Sequence, residues 1–323
     1  MTPSADDVTA GHGTSAPDAC SVGFDRAGLS AHGTAARAGF WLALEQEGPW
    51  GRVAATESHL PPETGRWLDE QCAARGGRLL LLRRPGRHPD PHTAGGRTAY
   101  LAFSGDAPWL LAASGASLDD LRGVDLDALA RGDRAPVLAS LPGAQPVGPV
   151  LLVCTNGRRD VCCALRGRPV ALEAARLSPG RVWESSHTGG HRFAPTAVLL
   201  PQGVALARLD GARCAEVLAA ADEGRLPEWA LGPHHDRGRS ALTAPAQAAE
   251  SHVRELARET ALSALATRTI DPDGGGERSV HEVLHADGRR WVVGVERRPA
   301  GPVLPESCGK PAIPAHEWLV RLL

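Results

Sequence analysis

The middle of the chain sets short apolar runs and helical periods in an order that few folds can satisfy. PVLLVCT at 149–155 is an apolar run of the length and kind that makes a buried strand. The polar stretch NGRRDVCC follows. PVALEAARL at 169–177 then reads as a helix, with Pro169 suited to its first turn. VWESS at 182–186 is a short strand, and AVLLPQG and VALARLD are two more, joined around Pro201-Gln202-Gly203. A helix from about Gly211 to Ala221 closes the series.

Strand, helix, strand, strand, strand, helix is the order of a thioredoxin-like α/β fold, and ligand sites in open α/β sheets favour the strand ends. The first 140 residues show a similar order. A helix near 63–75 precedes the strand RLLLLRR at 78–84, a loop, the strands TAYLAFS and WLLAAS, and the helix SLDDLRGVDLDALA. The loop, RHPDPHTAGG, places His88 and His92 four apart between a strand and a hairpin, as His187 and His191 stand later. That repetition points to an internal duplication. No cysteine pair precedes the first two histidines. Cys20 and Cys72 lie far upstream in unlike contexts, so the first half reads as a copy lacking half of the site.

The expected architecture is α/β: two thioredoxin-like α/β domains in tandem, plus a small α+β C-terminal domain. Residues 1–19 are expected to be a disordered tail, 20–145 a degenerate thioredoxin-like domain and 146–225 a second such domain carrying the site. Residues 226–323 form an accessory region. They begin with the linker LPEWALGPHHDRGRS and an amphipathic helix from about Pro245 to Thr267, then the glycine-rich DPDGGGERS. HEVLH turns at Asp287-Gly288 into RWVVGVE, a hairpin. The remainder, with five prolines around Cys308-Gly309-Lys310, reads as extended and poor in regular structure.

Chemistry concentrates in the middle domain. In SSHTGGHRFAP, at 185–195, two histidines stand four apart across a pair of glycines. Adjacent glycines in a helix cost roughly 1 kcal/mol each, so a loop is expected, in which positive φ at Gly189 and Gly190 lets His187 and His191 converge. Cys154 ends a buried strand, and Cys163, with Cys162 beside it, follows after eight intervening residues. Two thiolates and two imidazoles suit either zinc or a 2Fe-2S cluster. The H-x3-H half fits zinc. The cysteine spacing is wider than the usual zinc knuckle, and a long loop suits a larger, binuclear group.

The runs CTNGRRDVCCALRGRP and HTGGHRFAPTAVLLPQG, with GTAARAGFWLALEQEGPWGR upstream, resemble the sucrase/ferredoxin-like family, whose better-studied relatives are fungal thioredoxin-like ferredoxins. The resemblance covers about residues 20–225 and is densest between 150 and 210. It implies a 2Fe-2S cluster held by a C-x8-C loop and an H-x-G-G-H loop, here Cys154, Cys163, His187 and His191. Cys163 is preferred to Cys162 because the family's second cysteine stands three residues after an aspartate, here Asp160. The family's C-terminal segment is expected, in looser form, in WVVGVERRPAGPVLPESCGK.

Such a ligand set implies a one-electron carrier. An oxidised 2Fe-2S core bears two positive charges, so four thiolates leave it doubly negative, whereas two thiolates and two neutral imidazoles leave it neutral and easier to reduce. A ligating imidazole with its far nitrogen in solvent can also couple electron uptake to a proton. Rieske loops each supply one cysteine and one histidine. Here both cysteines precede both histidines. Arg158, Arg159, Arg166, Arg168 and Arg192 would form a positive rim for an acidic redox partner protein. Cys162 reads as a neighbour of the cluster, Cys72 and Cys214 as core thiols, and Cys308 as a loop thiol able to approach the cluster or a substrate.

Other classes fare worse. Net charge is −2 and no basic stripe is present, which argues against nucleic acid. No apolar run reaches the length of a membrane span, and the first 19 residues have no signal-peptide pattern, so a cytoplasmic protein with reduced thiols is expected. C-x-x-C is absent, no carboxylate pair supports a sucrase, and no nucleotide fingerprint follows a strand. Two alternatives stay beside the carrier: an oxidoreductase using the cluster with a thiol or small-molecule site, and a zinc-binding structural module.

Overall fold

Alternation along Phe40–Glu45 defines the first strand: Phe40, Leu42 and Leu44 enter one core while Trp41 and Ala43 enter another. The computed structural model describes residues 19–86, 96–272 and 277–323. Most of the expected tail, and His88 and His92, lie outside the described residues.

The first half contains α1 (Cys20–Arg26), β1 (Phe40–Glu45), α2 (Ala54–Glu57), α3 (Pro62–Ala74), β2 (Arg78–Arg83), β3 (Arg97–Phe103) and β4 (Trp109–Ala116). Three short helices, α4 (Leu118–Arg122), α5 (Leu126–Arg131) and α6 (Arg134–Ser140), lead to the two-residue β5 (Gln145–Pro146). The single helix expected over SLDDLRGVDLDALA is thus broken, because Asp125 caps a new start by accepting the Ala128 N–H at 2.8 Å. β1, an apolar run with no periodic signature of its own, is central to this half.

The second half follows with β6 (Val150–Cys154), α7 (Val161–Leu177), β7 (Val182–Ser185), β8 (Ala197–Leu200), β9 (Val204–Leu206) and α8 (Gly211–Asp222). β10 (Asp236–Arg239) closes the large sheet. α7 starts at Val161 rather than near Pro169, which lies inside it. The reason is again a cap, since the Asp160 carboxylate accepts the Cys162 N–H and nucleates the helix eight residues early despite the interior proline.

All ten strands make one mixed sheet in the order β10-β9-β8-β6-β7-β2-β1-β3-β4-β5. The halves repeat one another about its centre. β1 and β2 are parallel and β1 and β3 antiparallel, just as β6 and β7 are parallel and β6 and β8 antiparallel. β2 meets β7 antiparallel at the seam, with Arg83 opposite Glu184. There the Arg83 guanidinium donates to Glu184 Oε2 at 2.8 and 2.6 Å and Thr155 Oγ1 donates to the same oxygen at 2.8 Å, so the buried carboxylate is paired.

After β10 come α9 (Ala244–Leu256), β11 (Leu265–Pro272), β12 (Arg278–His285), β13 (Arg290–Leu304) and β14 (Ile313–Leu322), the four strands forming a separate antiparallel sheet. The helix expected to reach Thr267 stops at Leu256, and the β-branched stretch TRTI lies in β11. The C-terminal remainder is also more regular than its prolines indicate: β14 is an edge strand, where Pro314 deprives no neighbour of a donor. Ala248, Ala249 and Val253 of α9 pack on Leu265, Val283, Val293 and Val295. Among the described residues, no helix is long and apolar enough to cross a membrane.

Candidate metal centre

β6 and β7 run side by side in parallel, with Cys154 opposite Ser185, so the loops leaving their carboxyl ends start together. The loop after β6 enters α7 through its cap at Asp160, which puts Cys162 and Cys163 in the first helical turn rather than in the loop. Gly167, one turn on, lies against the Cys154 carbonyl, where any Cβ would overlap the oxygen. Glycine there lets α7 close down on the end of β6.

This approach gathers Cys154, Cys163 and His187, whose ligand atoms lie within 4.8 Å of one another. His191 is adjacent but outside that tight trio, its ring centroid 5.3 Å from that of His187 and its plane inclined by 36°. Cys162 turns elsewhere, towards Cys20 and Cys308. The thiol that meets Cys154 is therefore Cys163.

The electrostatics of the pair are asymmetric. A hydrogen bond from Cys163, opposed by burial, holds Cys154 well below the ordinary thiol range, and the same bond raises Cys163 well above it. The two thiols titrate as a coupled pair. Burial pushes His191 down, opposed by Asp160, whose Oδ2 lies 3.6 Å from His191 Nε2. The other ring nitrogens carry the more telling feature. Nδ1 of His187 and Nδ1 of His191 are both buried without a hydrogen-bond partner among the described residues. Leaving a buried polar atom unpaired costs about 1–3 kcal/mol, which a metal ligated at that nitrogen would remove.

Two arginines, Arg78 half-buried and Arg237 fully buried, carry the histidine loop. Arg78 donates to the His187 carbonyl at 3.1 Å, and Arg237 donates to the Gly189 carbonyl at 3.1 Å and to the Thr34 carbonyl. Burial, and Arg192 beside it, bring Arg237 down to about 9. Gly189 and Gly190 have φ of 88° and 73°, and a side chain at Gly190 would overlap the Arg237 guanidinium. The expected glycine turn is present, and Arg237 is its reason for being so tight. Nothing in the local sequence signals an arginine 46 residues downstream of His191.

A cleft of about 260 Å³ opens beside His187, bordered by Arg52, Asp69, Arg78, Asn156 and Arg159. Arg158 and Arg168 border a neighbouring one of about 290 Å³ with Trp50. The other two arginines of the expected rim are committed inward: Arg166 donates to Ser21 Oγ at 2.9 Å, and Arg192 lies over Phe193 at 5.1 Å. A larger cleft of about 580 Å³ on the C-terminal sheet is lined by no thiol or imidazole. Cys72 and Cys214 are core residues of the first and second halves.

Residues 96–229 match the model of the sucrase/ferredoxin-like family. The match supports that family for the stretch from β3 to α8. No curated protein and no solved structure matches the chain. The sucrase/ferredoxin-like stretch contains Cys154, Asp160, Cys163, His187 and His191, and leaves Cys20, Arg78, Arg237 and Cys308 outside it.

Proposed function

We propose that this chain is an electron-transfer protein in which Cys154, Cys163, His187 and His191 hold a 2Fe-2S cluster. The observation that carries this reading is the gathering of Cys154, Cys163 and His187 within 4.8 Å of one another, with Nδ1 of His187 and of His191 buried and without a hydrogen-bond partner among the described residues. The donor set suits the group: two sulfurs, two imidazole nitrogens, and a carboxylate, Asp160, behind the far nitrogen of one imidazole. When bound, such a cluster supplies one-electron chemistry at a potential raised by its two neutral ligands, as the range of roughly −150 to +300 mV for His-ligated clusters against about −400 mV for four-cysteine ones illustrates.

The chain's own residues do the rest. Arg78 and Arg237 hold the His187 and Gly189 carbonyls and so aim both imidazoles at one region. Asp160 stands where it can accept a proton from His191 Nε2, which gives electron uptake a route to proton coupling. Arg52, Arg78 and Arg159 around the His187 cleft suit an acidic redox partner protein. The same reading takes the two halves as duplicated thioredoxin-like domains, of which only the second keeps the site. The repeated strand order supports this, and at the end of β1, where β6 has Cys154, the chain has Glu45 and Gln46. Seven free thiols suit a reducing cytoplasm.

A single zinc ion is the second reading, because the Cys154, Cys163, His187 trio is compact enough for one. Iron and acid-labile sulfide counts with visible and EPR spectra on anaerobically purified protein separate the two. The cluster predicts colour, two irons and two sulfides per chain, all lost in Cys154→Ser. A colourless protein whose zinc is lost in that variant would replace the cluster by the ion. Changing His187 or His191 to Cys should lower the reduction potential and flatten its pH dependence. An unchanged titration would remove that histidine from the site.

A further inference from the structure

Three thiols from remote parts of the chain meet beside, but outside, the Cys154 group. Cys20 opens α1, Cys162 stands in the first turn of α7, and Cys308 lies in the connection between β13 and β14. The Sγ atoms form a closed triangle: Cys20 to Cys162 is 3.5 Å, Cys162 to Cys308 is 3.1 Å and Cys308 to Cys20 is 3.5 Å. Cys20 and Cys162 are buried and Cys308 is half-buried.

One carboxylate organises the triangle. Asp160 Oδ1 accepts the Cys162 N–H at 2.9 Å, while Oδ2 accepts the Cys308 N–H at 3.0 Å and the Ser307 hydroxyl at 2.8 Å. The same two oxygens lie 3.9 and 4.0 Å from Cys20 Sγ. A single buried side chain thus fixes the backbone of two of the cysteines and faces the third. Cys72 and Cys214 show what a core thiol looks like in this protein, each among aliphatic side chains with no other sulfur in its cluster. The triangle is a different arrangement, and Cys162 also enjoys the positive end of the 17-residue α7.

The dimensions suit a tetrahedral ion. The centre of such a triangle lies about 2 Å from each sulfur, so an ion about 2.3 Å from all three would sit roughly 1 Å out of their plane, leaving one position open. Three sulfurs select a thiophilic ion over magnesium or calcium. We propose that Cys20, Cys162 and Cys308, with the Asp160 carboxylate as the neighbouring oxygen donor, bind one thiophilic metal ion of the zinc class. Binding exchanges thiol protons for metal–sulfur bonds without any change of oxidation state. It staples positions separated by 142 and 146 residues, fastening α1 and the β13–β14 connection over the start of α7. Two of its three sulfurs lie outside the matched stretch, and none of the three belongs to the Cys154 group.

The test uses the full chain, purified anaerobically in reductant and freed of loosely bound metal, with zinc as the probe. Alkylation of the native protein is followed site by site by mass spectrometry, with and without zinc. Saturating zinc should slow labelling of Cys308 about tenfold or more, protect Cys20 and Cys162 with it, and a chelator should reverse this. Cys308→Ser should bind one zinc fewer per chain while keeping its iron count. Zinc that protects Cys154 and Cys163 but leaves Cys308 labelling unchanged would overturn the proposal. So would a mass two hydrogens low that maps to a disulfide within the triangle of the reduced protein. Since the labelling is read on the unaltered chain, misfolding of Cys308→Ser would not rescue or sink the idea.

Discussion

The guanidinium of Arg237 occupies the space that a side chain on Gly190 would need. Gly190 has φ of 73°, and its carbonyl accepts the Phe193 N–H at 2.9 Å, so Gly190 is held between Arg237 and the turn His191–Phe193. Gly190→Ala should therefore cost more than the left-handed backbone alone, about 2–4 kcal/mol against roughly 1–2 kcal/mol for strain only. Gly288→Ala is the control, with φ of 96° and nothing near its Cβ position. Thermal melts of the two variants check this. Equal losses would mean that Arg237 yields without cost.

Asp160 serves a helix and a distant segment at once. Asp160→Ala should remove the α7 cap, worth about 1 kcal/mol, and leave the Cys308 N–H and Ser307 hydroxyl without their acceptor at about 1–3 kcal/mol more. Asp160→Asn keeps an oxygen for the cap and should cost less than half as much. Denaturant midpoints decide it. If the two variants fall together, the cap is not where the stability resides.

Glu250 on α9 joins the two sheets. Arg239 of β10 donates to it at 2.6 and 2.7 Å, and Thr267 of β11 donates at 2.8 Å. Burial alone would raise this carboxyl, but Arg239 overrides it and holds Glu250 below the ordinary carboxylate range, while Glu250 raises Arg239 in turn. A depressed folded-state value means stability that is present above the unfolded value of about 4.3 and lost as pH falls through the folded one. Glu250→Gln should cost about 3–5 kcal/mol near neutral pH. Its deficit against the unaltered chain should shrink below about pH 4. A deficit independent of pH would show that packing, not the ion pair, carries the effect.

Cys72 and Cys214 should be inert. Burial pushes each thiol up to about 12, and both are completely enclosed. At pH 8 their alkylation should require unfolding and rise with denaturant in step with loss of structure. Labelling at the pace of half-buried Cys308 in the native protein would contradict the packing described for α3 and α8.

Much of the fold is legible in the chain because period-2 and period-3.6 patterns are local. PVLLVCT, VWESS and AVLLPQG each form a strand, and the DG hairpin of the last domain lies at its expected turn. Prolines mislead where a side-chain cap or an edge position overrules them. Asp160 starts α7 eight residues ahead of Pro169, and β14 accepts Pro314 because that strand has no outer neighbour. β1 is not legible: FWLALE is an unbroken apolar run up to Glu45, and only the structure shows its side chains dividing between two cores.

By itself the sequence determined the order β6-α7-β7-β8-β9-α8, the pairing of a cysteine loop with a histidine loop, and the glycines between His187 and His191. Tertiary structure decided which sulfur meets which. Cys162 and Cys163 are neighbours in the chain, but on a helix consecutive side chains diverge by about 100°, so one joins Cys154 and the other joins Cys20 and Cys308. Contacts spanning 142 and 146 residues leave no periodic trace, and neither does Arg237 under Gly190. They exist because α1, the β13–β14 connection and β10 all pack around the ends of β6 and β7, where buried polar atoms find their partners in segments remote in the chain.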